Sequence, residues 1–77
     1  MDTITDYVNT SRFIGGGWVP MITGYDETGD IEFPFELDLY ENSKVNWKEY
    51  KKKYPGAKNY KAFYREFTAA KEEIGLK

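Results

Sequence analysis

Histidine and cysteine are both absent from this 77-residue chain. The commonest general base, the thiol nucleophile and the usual transition-metal ligands are therefore missing, and any catalysis would have to rest on carboxylates, Lys, Tyr or Ser. No disulfide can brace the fold either. A domain of this length buries only roughly 60% of the surface its unfolded chain exposes. Ordering the chain costs on the order of 1.5 kcal/mol per residue, so apolar burial has to carry nearly the whole load. Also missing is any apolar run long enough to cross a bilayer, and residues Met1 to Asp6 hold neither a basic nor a hydrophobic segment. These absences predict a cytoplasmic or otherwise intracellular protein with no membrane association, and the lack of Cys suits a reducing compartment.

Aromatic residues are plentiful, at 18% of the chain. Phe, Tyr and Trp each bury about 150–250 Å², so a core can be built from few residues. Charge is segregated: residues 1–43 hold nine acids against Arg12 alone, for −8, and residues 44–77 hold ten bases against four acids, for +6. Either the two halves attract each other across the domain, or each offers a face to a charged partner.

The clearest strand runs from Ile31 to Tyr40, where Ile31, Phe33, Phe35, Leu37 and Leu39 alternate with Glu32, Pro34, Glu36, Asp38 and Tyr40. Trp18 to Tyr25 reads as its hairpin partner, with the turn at residues 26–30 and Gly29 at the left-handed position. A three-residue loop pairs Tyr25 with Ile31 and Thr23 with Phe33. A four-residue loop shifts the register by one and turns Trp18 and Ile22 to the core. Two strands are marginal alone, so a third is expected, with residues 11–14 as the candidate. Residues 2–12 read as a short turn of helix, because Ile4, Tyr7 and Val8 fall at helical spacing. Gly15-Gly16-Gly17 lacks the Lys-Ser/Thr of a phosphate loop and leads into a strand, so it reads as a flexible approach to the hairpin. Asp26, Thr28 and Asp30 alternate like calcium ligands, but no Gly follows Asp30 and Leu37 stands where the bidentate Glu belongs.

After the linker at residues 41–44, Asn46 and Glu49 form a capping-box pattern, with Val45 and Tyr50 as a hydrophobic staple. The first helix then carries Trp47, Tyr50 and Tyr54 on its apolar stripe and stops at Pro55-Gly56. A second helix runs from about Asn59 to Ile74, with Tyr60, Phe63, Tyr64, Phe67, Ala70 and Ile74 at three- and four-residue steps. Gly75 reads as its C′ residue, with Leu76 closing back on Ala70 or Lys71. The expected architecture is a single α+β domain, a small N-terminal antiparallel hairpin or sheet packed against a C-terminal helical hairpin.

Glu32, Glu36 and Asp38 share a wet strand face with no cleft to separate their pKa values, so they make no acid/base pair. The candidate binding residues lie in the second half: Lys48, Lys51, Lys52, Lys58, Lys61 and Arg65, interleaved with Tyr54, Tyr60 and Tyr64. Such interleaving suits single-strand nucleic-acid binding, since cations neutralise phosphates and rings stack on bases. It equally suits a helix whose aromatics form core and whose lysines form the solvated face. The acidic N-terminal half argues against strong nonspecific DNA binding. The sequence thus predicts a non-enzymatic binding module with a protein partner, an inhibitor or accessory protein of the kind that viruses and mobile elements carry. The alternative is a nucleic-acid-binding accessory domain. No motif calls for a cofactor or a metal, and the oligomeric state is open.

Overall fold

In the computed structural model, which describes residues 3–75, the alternation after Asp30 builds a shorter strand than its pattern suggests. The elements are β1 (Ile4–Asn9), β2 (Arg12–Ile14), β3 (Gly17–Val19), β4 (Met21–Asp26), β5 (Glu32–Glu36), α1 (Ser43–Lys53) and α2 (Tyr60–Glu73). Strands β1, β4 and β5 form an antiparallel sheet in that order, and β2 and β3 pair separately as a two-stranded arm. Both helices cover one face of the sheet, so the α+β architecture is as the sequence predicts. Phe33 and Phe35 turn toward the helices while Glu32, Pro34 and Glu36 face solvent. Leu37 and Leu39 stay buried past the strand end, but Ile31 is exposed.

The register is that of the four-residue loop, with Tyr25 opposite Glu32, Gly24 opposite Phe33 and Ile22 opposite Phe35. Ile22 is wholly buried as that register requires. Trp18 does not follow it, because Pro20 lacks the N–H to continue the ladder and the chain breaks there into β3 and β4. In the loop, the Asp26 carboxylate accepts from Thr28 Oγ1 at 2.6 Å and from the backbone N–H groups of Thr28 and Gly29, each at 3.0 Å. Gly29 takes the left-handed conformation.

The helical reading of the N-terminal segment is corrected: residues 4–9 are the third strand, in place of residues 11–14. Ile4 pairs with Asp26 and Asp6 with Tyr25, so Thr5 is the extra residue of a β-bulge. The bulge sends Ile4 and Tyr7, three apart, to the same face, and that spacing imitates a helix. Residues 12–14 pair instead with 17–19 through a two-residue turn in which Gly15 and Gly16 have φ of 57° and 79°. Only glycine supplies two such residues without strain, so the run is a hairpin turn.

A second correction concerns the start of α1. The cap is Asn42, whose side chain accepts from the Val45 N–H at 2.9 Å. Asn46 lies one turn inside the helix, buried, and its amide accepts from Asp38 N at 2.8 Å and donates to the Asp38 and Asn42 carbonyls, each at 3.0 Å. The capping box with Glu49 and the Val45–Tyr50 staple are therefore not used. A buried amide that satisfies both backbone groups of Asp38 outweighs a solvated cap. The second helix begins near Asn59, as expected; Asn59 caps it at φ 67°, and the Thr5 carbonyl accepts its side-chain N–H. Gly75 has φ 81°; the Leu76 contact lies outside the described residues.

The core is aromatic. Tyr50 is wholly buried, with the rings of Tyr7, Phe35, Tyr54 and Phe63 between 5.1 and 5.6 Å from its own and Trp47 stacked at 6.3 Å. Its hydroxyl donates to the Phe33 carbonyl at 2.9 Å and sits over Gly24, where a Cβ would collide with it and come within 2.6 Å of Ile4 Cγ2. The far side of β1 is sealed by the connection between the helices: Ile4 exchanges backbone hydrogen bonds with Gly56 and Lys58, and the Tyr7 hydroxyl donates to the Lys58 carbonyl at 2.6 Å.

Gly24→Ala is expected to lower stability by about 1–3 kcal/mol by overpacking. Gly17→Ala, where the nearest atom to the new Cβ is 3.7 Å away, should stay within about 0.5 kcal/mol. Denaturant melts of the two variants check this.

Burial pushes the phenols of Tyr7 and Tyr50 far above the ordinary value of 10.0. The native state therefore keeps protons that the unfolded chain releases, and stability is lost as pH rises above about 10. Chemical melts at rising pH should show a shallower alkaline loss in Tyr7→Phe than in the wild type. Equal slopes would remove Tyr7 from the account.

Candidate functional site

Since α1 buries Ser43, Asn46 and Tyr50 and packs Trp47 against the core, its other side is free for charge. Lys44, Lys48, Lys51 and Lys52 recur at three- and four-residue steps on its outer side, and all are exposed. Lys58 is exposed on the connection, and Lys61 and Arg65 on the outer side of α2. The sheet face turned away from the helices carries the cross-strand rows Asp6–Tyr25–Glu32 and Val8–Thr23–Pro34, with Glu36 beyond them, while Asp6, at the β1 edge, also lines a groove with α2. The split along the sequence thus becomes a split between layers, basic helices over an acidic sheet.

Among the described residues one ion pair is formed, Arg65 Nε to Glu66 Oε2 at 3.7 Å, within the basic half. Lys48, Lys51 and Lys52 do not reach Glu32, Glu36 or Asp38. Lys51 lies over the Trp47 ring at 5.9 Å and Lys53 over Tyr54 at 5.3 Å. Such contacts are worth about 0.5–1 kcal/mol at exposed sites, and they leave the charge in water.

The three tyrosines of the candidate site separate. Tyr54 is half-buried against Phe33, with its hydroxyl donating to the Pro34 carbonyl at 3.0 Å. Tyr60 is half-buried against Trp47, its hydroxyl 2.5 Å from Ser43 Oγ. Tyr64 alone is exposed, at 50%. It stands with Lys61, Arg65 and Thr68 along an open groove of about 780 Å³ that Asp6, Asn59 and Glu72 also line. The structure therefore brings Lys61, Tyr64 and Arg65 together and puts Lys48, Lys51 and Lys52 on the neighbouring helix. Tyr54 and Tyr60 serve as struts of the fold.

At the hairpin tip, the hydrogen bond from the Thr28 hydroxyl, reinforced by backbone N–H groups, holds the Asp26 carboxyl below the usual carboxylate range. Its lone pairs cap the loop. Among the described residues no three carboxylates converge as a metal site would require, and no helix is long and apolar enough to cross a membrane.

No protein-family model, curated protein or solved structure matches this chain.

One feature escaped sequence reasoning. A second open groove, of about 530 Å³, lies at the root of the β2–β3 arm, with Trp18, Pro20, Leu37, Leu39 and Ile74 as its apolar lining and Tyr40 at its rim. Phe13, Ile14 and Tyr40 are 66%, 55% and 92% exposed. The signal was present in two neighbouring apolar residues before a glycine pair, a strand too short to cover them.

Changing Lys48, Lys51 and Lys52 together to Ala is expected to alter stability by no more than about 1 kcal/mol, since only the Lys51–Trp47 contact is lost. Thermal and denaturant melts check it; a larger loss would make these lysines counter-ions of the acidic sheet.

Proposed function

We propose that the protein is a small non-enzymatic binding module that takes an acidic protein partner on the outer surface of α1 and α2. The observation that carries this reading is the absence, among the described residues, of any ion pair between the basic helices and the acidic sheet. Cations in one layer, of which Arg65 alone is paired within its own chain among the described residues, attract a partner at long range and set its orientation. Lys48, Lys51, Lys52, Lys58, Lys61 and Arg65 supply the charge, and Tyr64 the exposed ring, an amphipathic anchor suited to an interface. A nucleic-acid partner is the weaker reading. Single-strand binders stack successive bases on a series of aromatic faces, and with Tyr54 and Tyr60 engaged in the fold Tyr64 is the exposed tyrosine left beside Lys61 and Arg65.

The test compares poly-glutamate and a single-stranded oligonucleotide as probes across a salt series. The wild type should bind the acidic polypeptide more tightly at low salt, and the Lys48, Lys51, Lys52 triple Ala variant should lose about tenfold in affinity. Unchanged affinity of the triple variant at about 50 mM salt, where the Debye length exceeds 10 Å, would overturn the proposal. Tighter binding of the oligonucleotide with a steep salt slope would favour the nucleic-acid reading.

A further inference from the structure

We propose that the β2–β3 arm and the groove at its root form a two-fold interface with a second copy of this chain. Phe13 is mostly exposed on the arm face that carries Trp18, Ile14 is mostly exposed on the opposite face, and Tyr40 is almost fully exposed beside the groove. Single apolar side chains in water are ordinary, but large ones on both faces of a short arm beside an apolar groove make a surface of the kind that marks association.

The arm is preorganised. The positive φ values of Gly15 and Gly16 fix its turn, and Phe13 lies opposite Trp18, with ring centroids 6.1 Å apart. A finger already held in shape loses little entropy on docking.

Charge selects the occupant. Arg12, the lone base in residues 1–43, is carried on the arm, exposed and without an ion pair among the described residues. Glu36 and Asp38, both exposed, line the groove beside its apolar floor. An apolar finger with one positive charge thus matches an apolar groove with two negative ones, and a single chain carries both halves of the match.

Symmetry then closes the assembly. Trp18 belongs to the arm and also lines the groove, so finger and receptor adjoin. A two-fold axis beside Trp18 lays each arm on the other copy's groove and stops at two. The Trp18 Nε1–H, shielded from water and without an acceptor, lies at this junction. A standard interface takes about 800 Å² from each partner, roughly a sixth of this protein's 5088 Å². With a short arm as the main contact, the dimer is weak, with a dissociation constant in about the micromolar range or above.

Sedimentation velocity from about 5 to 500 μM tests this, with circular dichroism confirming that each variant is folded. The wild type should shift from monomer to dimer across the range, whereas Phe13→Glu should remain monomeric. Arg12→Glu should weaken association by about three- to tenfold, and adding Glu36→Arg and Asp38→Arg to it should restore association. Tyr64→Glu, on the outer side of α2, should leave the dimer unchanged. A wild type that stays monomeric throughout would overturn the proposal, as would a dimer indifferent to Phe13→Glu and Arg12→Glu, or one abolished by Tyr64→Glu.

Discussion

Gly24 sits in the central strand between Tyr7 and Phe33, and the hydroxyl of Tyr50 occupies the space its side chain would fill. A phenol buried this deeply must find a hydrogen-bond acceptor, and the Phe33 carbonyl supplies one. The Tyr50 ring is thereby fixed, and five further aromatic rings pack around it. Each such pair adds about 0.5–1.5 kcal/mol beyond area burial. The second tie of α1 is Asn46, which holds the backbone of Asp38. With Trp47 packed on Tyr7 and Phe63 and Ser43 beside the Tyr60 hydroxyl, these ties hold one side of a helix of eleven residues, and its outer surface is left to lysine. The basic layer is in this sense a product of how little of α1 the core demands.

The layered architecture, the extent of α2 and the inward set Phe33, Phe35, Leu37 and Leu39 were legible because each rests on simple periodicity. What failed to read correctly shares one physical cause, namely competition between local signals that only tertiary contacts resolve. Ile4 and Tyr7 look helical because a bulge restores them to one face of a strand. Asn42 and Asn46 are both good caps, and the choice between them is decided by Asp38, eight residues upstream of Asn46. The hairpin register turned on whether Ile22 or its neighbours entered the core, and no local pattern distinguishes them.

The candidate site was legible as charge and much less so as geometry. The exposure of Lys48, Lys51, Lys52, Lys61 and Arg65 follows from helical phase. The fates of the tyrosines do not, since Tyr54, Tyr60 and Tyr64 all fall on or near the apolar stripe. Only the positions of Pro34 and Ser43 decide which hydroxyls are drawn inward. Nor does alternation say that Phe13 and Ile14 end on an arm too short to cover its own hydrophobic residues.

The sealing of β1 by residues far along the chain has a consequence for the order of folding. The hairpin of β4 and β5 can form from neighbouring residues, and each helix is local by nature. By contrast, Tyr7 is tied to Lys58 across 51 positions, and Asn9 donates its backbone N–H to Glu66 across 57. Loop closure of that span has to precede any return from the contacts. The pairing of β1 with β4 spans far fewer residues, so what depends on α2 is the securing of β1 from its far side and not the pairing itself.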